Sequence, residues 1–180
     1  IAIPLGESEG TIAWYSLLFE DAHISVPAIY EDKLFVTASS LTSTLYCLNT
    51  DADSVSGTLA GSTAWSSSLA GTPSSIPPVV SNGTVLVVIT DGTYSSIYAF
   101  PVAGSSYSWK IPQNGDLNGD IRNEILFADG MVIYGINDVS NDVFQIEAQD
   151  AGTPAPVDGR LGWSVSGNGN QLVTGLSISN

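Results

Sequence analysis

Residues 109–134 read WKIPQNGDLNGDIRNEILFADGMVIY, and two patterns overlap in them. The first is a run of oxygen-bearing side chains. Asp116, Asn118, Asp120 and Glu124 stand at relative positions 1, 3, 5 and 9, a spacing that lets one tight turn converge on a hard cation, calcium before others. The second is an apolar strand, a turn and another apolar strand: Ile125-Leu126-Phe127-Ala128, Asp129-Gly130, Met131-Val132-Ile133-Tyr134. That phrase is one copy of a repeat, and the repeat decides the fold.

Two earlier copies run Val26-Pro27-Ala28-Ile29-Tyr30-Glu31-Asp32-Lys33-Leu34-Phe35-Val36 and Ile76-Pro77-Pro78-Val79-Val80-Ser81-Asn82-Gly83-Thr84-Val85-Leu86-Val87. Asn82-Gly83 and Asp129-Gly130 are the dipeptides of a two-residue type I′ hairpin, whose central residues both need positive φ. A third strand follows each hairpin, as Leu45-Tyr46-Cys47-Leu48, Ile97-Tyr98-Ala99-Phe100 and Val143-Phe144-Gln145-Ile146. A tryptophan strand then closes each unit. Trp14, Trp65, Trp109 and Trp163 are separated by 51, 44 and 54 residues, intervals that fit one four-stranded propeller blade. This predicts an all-β chain, β-propeller-like, with four-stranded antiparallel blades and no helix of consequence. Leu34, Val36, Leu86, Val88, Val132 and Tyr134 fall in the second strands, with alternate members buried.

The phrase Pro-x-Val strand, Asp/Asn-Gly turn, Val-Tyr-Val-like strand, Leu-Tyr-Ala-Leu-like strand and Trp resembles the PQQ-like β-propeller repeat of quinoproteins and outer-membrane assembly lipoproteins. The resemblance covers nearly the whole chain, as repeats at about 15–65, 66–109 and 110–163. Residues 1–14, with Ile1-Ala2-Ile3-Pro4 ahead of Trp14, match the third-strand-to-Trp portion of a blade, and 164–180 have room for the missing strands. A single domain over 1–180 with a partial blade shared by the termini follows. Two geometries fit: a four-bladed ring closed by the termini, or an open one in which these residues are a segment of a larger propeller or a propeller completed by other subunits. An irregular β-sandwich is the plainer alternative.

In the third repeat an acidic loop replaces the Pro phrase and runs straight into a strand. The order Asp-x-Asn-Gly-Asp-x-x-x-acid resembles the FG-GAP calcium loop of integrin-type propellers. By that resemblance Asp116, Asn118, Asp120 and Glu124 are side-chain ligands and Arg122 offers its backbone carbonyl. Ile121 departs from the pattern, standing where Gly is frequent, and a β-branched residue resists positive φ. A Gly-rich surface turn with solvated carboxylates is the alternative.

Composition narrows the function. The chain of 180 residues carries eighteen acidic and four basic residues, a formal charge of −14, so it should repel nucleic-acid backbones. Charged residues make up only 12 percent, leaving a Ser/Thr/Asn/Gly surface typical of secreted and cell-surface proteins. No apolar run is long enough for a membrane span. The chain opens at Ile1, as a processed or excised form would. Cys47 is the sole cysteine and reads as a small buried residue equivalent to Ala99. His23 is the sole histidine and reads as a solvated loop residue. Asn82-Gly83-Thr84 fits the glycosylation pattern, but the hairpin already requires Asn-Gly.

No catalytic set emerges. The expected protein is a non-enzymatic, extracellular, calcium-stabilised module acting in adhesion or in a surface assembly or filament, with protein partners or copies of itself as a homo-oligomer. A fragment of a PQQ-dependent dehydrogenase is disfavoured, since that resemblance implies a vicinal Cys pair. A periplasmic scaffold propeller shares the repeat but not the acidic loop.

Overall fold

The computed structural model describes residues 23–40, 42–74, 76–91, 93–112, 115–121, 125–128, 131–138, 143–150 and 161–168. These form antiparallel sheets, and among the described residues there is no helix.

In the first sheet β1 (His23–Ile24) and β2 (Ala28–Tyr30) lie end to end along β3 (Lys33–Ser39), followed by β4 (Ser43–Asn49) and β5 (Thr63–Leu69). The second repeats this plan. There β6 (Thr72–Pro73) and β7 (Val79–Ser81) lie along β8 (Thr84–Thr90), then come β9 (Tyr94–Pro101) and, along its far side, β10 (Trp109–Ile111) and β11 (Leu117–Asn118). The third runs β12 (Leu126–Ala128), β13 (Met131–Asp138), β14 (Val143–Asp150) and β15 (Leu161–Asn168). Prolines explain why the first row is broken in two sheets. Pro27, Pro77 and Pro78 offer no N–H, so pairing lapses there, and Pro73 is tolerated because β6 is an edge.

Register confirms the turn reading. Ser81 pairs with Thr84 around Asn82 (φ 48°) and Gly83 (φ 73°), the two positive values a type I′ turn needs. Ala128 pairs with Met131 across the third hairpin, whose Asp129 and Gly130 lie outside the described residues.

The tryptophan strands follow one rule. Trp65 pairs with Cys47, Trp109 with Ala99 and Trp163 with Ala148. At Trp65 and Trp109 the small residue opposite leaves room for the indole, which accounts for Cys47. It also corrects the third repeat. Ile146-Glu147-Ala148-Gln149, and not Val143-Phe144-Gln145-Ile146, occupies the place of Leu45-Tyr46-Cys47-Leu48, because Ile146 pairs with Gly135 as Leu45 pairs with Thr37. The sheet limits fall beyond the expected repeat ends, at 23–69, 72–118 and 126–168, since each tryptophan strand runs on past its indole. Residues 164–168 thus belong to β15 and not to a partial blade; the rest of that predicted blade, 1–14 and 169–180, lies outside the described residues.

The sheets stack through two cores. Phe35, Leu45 and Cys47 of the first sheet meet Val85, Val87, Ile89 and Phe100 of the second. Leu86, Val88, Ile97, Ala99 and Trp109 on its other face meet Ile121, Ile125, Val132, Tyr134 and Ile136. The expected alternation of buried residues therefore fails in β8, where Val85 through Ile89 are all buried. A strand covered on both faces has no solvent side to give to polar residues. Trp65 lies between Phe35 and Phe100, at centroid distances of 6.0 and 6.2 Å, and donates its Nε1–H to the Val102 carbonyl at 2.8 Å. Trp65 and Trp109 are the expected packing anchors between sheets; Trp14 and the Trp163 side chain lie outside the described residues. Along one side of the stack β2 lies against β7, and β7 against β12.

Candidate metal site

The acidic segment is the seam between the second and third sheets. Leu117 and Asn118 pair with Ser95 and Tyr94 of β9, and two residues later Asp120 exchanges backbone hydrogen bonds with Asn137 of β13, at 3.0 and 3.1 Å. The bridge Asp120–Asn137 sits where Thr72 pairs with Thr90 and His23 with Ser39 in the preceding sheets, so Asp120 is a first-strand residue of the third repeat. Gly119 makes the crossing. Its φ of +135° places it against Ile136, and its N–H donates to the Thr93 carbonyl at 2.8 Å. Gly71, with φ +132° against Ile89, does the same one repeat earlier.

Three of the five expected ligands are described. Asp116 is exposed and accepts a hydrogen bond from the Ser96 hydroxyl. The Lys110 ammonium stands 3.4 Å from the same Oδ1. The Ser96 hydrogen bond first, and then the Lys110 charge, outweigh burial and hold the Asp116 carboxyl below the usual carboxylate range, so it is ionised at neutral pH. Asn118 is exposed on β11. Asp120 is buried, 5% exposed, and accepts from Thr90 Oγ1 at 2.8 Å. Behind it Ser95 Oγ donates to Thr90 Oγ1 at 3.3 Å and receives the Ile121 N–H at 3.0 Å. Such a chain polarises toward the carboxylate at its end. Ser95 and Ser96 are strand neighbours and project to opposite faces, so one serves the Asp120 relay and the other serves Asp116. Arg122 and Glu124 lie outside the described residues.

The donor types are those a hard cation takes, but the structure holds Asp116 and Asp120 through opposite faces of β9, by Ser96 on one side and by Thr90 and Ser95 on the other. All three described side chains offer hard oxygens at alternate positions of one extended run, and Gly119 supplies the positive φ there. Ile121 is not a turn residue at all. It is fully buried in the core shared by the second and third sheets, which removes the conflict between a β-branched side chain and positive φ. A cleft of about 140 Å³ opens beside Asp116, lined also by Gly71, Thr90, Asp91, Tyr94 and Ser96. Asp91 is tied down there by the backbone N–H groups of Thr93 and Tyr94, at 2.8 and 2.7 Å. A larger cleft of about 530 Å³ between β1 and β6 is lined by His23, Ser25, Thr37, Thr72 and Ser74 and has no carboxylate in its wall.

Sequence reasoning missed Lys110, Ser96 and the Thr90–Ser95 relay. Lys110 carried a signal, as one of four basic residues in a strongly acidic chain, six positions before Asp116. The other residues singled out are placed plainly. His23 is exposed on β1, and Asn82 is exposed at the hairpin tip. Cys47 is fully buried, and burial pushes its thiol up to about 11. Folded protein at pH 8 is therefore expected to resist thiol alkylation, with labelling in denaturant going to completion; mass spectrometry after timed iodoacetamide treatment reads this directly.

No family model matches the chain, and no curated protein matches it. Among solved structures it is similar to the crystal structure of the computationally designed Ika8 protein, at 14% identity and a TM-score of 0.58, covering 92% of this chain and 43% of that one. The chain thus spans less than half the length of the protein it matches, and at this identity the likeness speaks for an all-β arrangement of strands alone.

Proposed function

We propose that the protein is a non-enzymatic, extracellular β-propeller module tightened by calcium, serving in adhesion or as a structural subunit of a surface assembly. The observation that carries this reading is the position of the acidic segment. It pairs with β9 of one sheet and bridges β13 of the next, so a cation held there acts on the joint between two repeats. The inner strands β2, β7 and β12 standing side by side support the propeller arrangement, as expected for sheets set around a common centre. The weakly charged Ser/Thr/Gly surface supports an extracellular setting. Asp116, Asn118 and Asp120 hold the ion by side-chain oxygens, with Glu124 and the Arg122 carbonyl completing the set. When bound, calcium supplies charge neutralisation and rigidity, and the role is structural.

Calorimetric melting with calcium and with chelator tests this. At a hundredfold excess over the dissociation constant, the ion should stabilise the fold by about 2.7 kcal/mol. For a chain of this size that is a rise of roughly 5–10 °C in Tm. Asp120→Ala should abolish the shift, and Asp129→Ala, in the neighbouring hairpin turn, should keep it. An identical Tm for wild type in calcium and in chelator would sink the proposal.

A further inference from the structure

We infer that Asn82, at the apex of the hairpin between β7 and β8, carries an asparagine-linked glycan; this rests on the extracellular reading above. Asn82-Gly83-Thr84 is the one Asn-x-Ser/Thr triplet in the chain. The turn accounts for only part of it. Three hairpins join the first and second strands of their sheets, and their loop residues are Glu31-Asp32, Asn82-Gly83 and Asp129-Gly130. Glu31 adopts a positive φ of 53° much as Asn82 adopts 48°. Two of the three hairpins therefore begin their loop with an acid, which lacks the amide nitrogen to which a sugar is attached. Only the second sets an amide there. Just past the loop, Lys33 and Met131 stand where the second hairpin has Thr84, so the turn does not ask for the threonine either.

The placement suits an attached sugar. Asn82 is exposed, and the buried span of β8 begins only at Val85. At Gly83 (φ 73°) an added Cβ would meet nothing within 4 Å, so the space beside the asparagine is open. In the transfer, Asn82 Nδ2 bonds to the anomeric carbon of a lipid-linked oligosaccharide phosphate. The bond from that carbon to the phosphate oxygen breaks, the lipid phosphate leaves with the electron pair, and the amide gives up one proton to the transferase. Thr84 supplies the hydroxyl of the recognised triplet. Before the hairpin closes, all three residues are within reach of the enzyme. A bulky, hydrated glycan at this apex holds the end of the second hairpin in solvent, so a partner or a second copy has to approach the stack elsewhere.

Peptide mass spectrometry on protein taken from the native cells, with the exterior and interior fractions kept apart, tests the assignment. The peptide that spans β7 and β8 should carry added saccharide on Asn82 in the exterior fraction. Asn82→Gln and Thr84→Ala, produced in the same cells, should lose the saccharide, and Thr84→Ser should keep it. Asn82→Asp should lose it while keeping the turn, since Asp precedes Gly in the third hairpin, and its circular dichroism spectrum should match that of wild type. Unmodified Asn82 in the exterior fraction overturns the glycan and leaves the extracellular reading standing. Saccharide kept in Asn82→Gln but lost in Thr84→Ala places the sugar on the threonine oxygen and overturns the assignment as well. Protein found solely inside the cells, with Asn82 unmodified, brings both readings down together.

Discussion

Val87→Asp is expected to unfold the protein. Val87 is 3% exposed in the middle of β8, packed into the core that joins the first and second sheets, with Val88 beside it packed into the other core. A carboxylate there has no ready route to water, because β9 flanks it on one side and the residues of the first sheet cover it. Burying it ionised costs several kcal/mol, and protonating it at neutral pH costs a comparable amount. Domains of this size are stable by about 5–15 kcal/mol in all. The expected outcome is loss of the cooperative melting transition, or a fall in Tm of more than about 10 °C. Ser66→Asp on the exposed face of β5 serves as the control and should change stability by less than about 0.5 kcal/mol. Equal melting curves for the two variants would contradict burial of β8 on both faces.

Gly119→Ala is expected to be the next most damaging change, for a different reason. A Cβ at this position would lie 2.2 Å from Ile136 Cγ2 and 3.3 Å from the Asn137 backbone, at a φ of +135° that side chains other than glycine rarely adopt. Backbone strain contributes about 1–2 kcal/mol, and forced overpacking about 1–3 kcal/mol more. A double-mutant cycle separates them. Shortening the neighbour by Ile136→Ala removes the colliding atom, so the pair should be less destabilised than the sum of the singles by about 1 kcal/mol or more. Denaturant unfolding of the four proteins reads the coupling. A coupling near zero would mean that the crossing moves away from Ile136 freely.

The two glycines show what sequence could convey. Gly71 and Gly119 occupy equivalent places, each pressed on an isoleucine of the second strand, yet neither belongs to the phrases by which the repeat was recognised. Asn82-Gly83 was legible because turn chemistry is local, and its φ values follow from two residues. The unbroken run Val85-Leu86-Val87-Val88-Ile89 already carried the two-sided burial that simple alternation overlooked. The register of β14 was hidden because Glu147 and Gln149 interrupt its apolar pattern, and it is fixed by the pairing of Ile146 with Gly135 and of Ala148 with Trp163. At the acidic segment, residue types and spacing were legible. The partners Ser96, Thr90 and Lys110 were not, since which residues meet across β9 depends on pairing between segments far apart in sequence.

The tryptophans give the stack a direction. Trp65 leaves the first sheet to pack on the second, and Trp109 leaves the second to pack on the third, each over the small residue opposite it. The second sheet therefore offers a protruding ring ahead and a receiving surface behind, like a link that couples one way only. A gene encoding such a chain can lengthen by copying one unit in place, because the copy meets the same neighbour on each side and no joint has to be reinvented. The third unit departs from this only in its connecting segment, where an acidic run stands in place of the proline phrase.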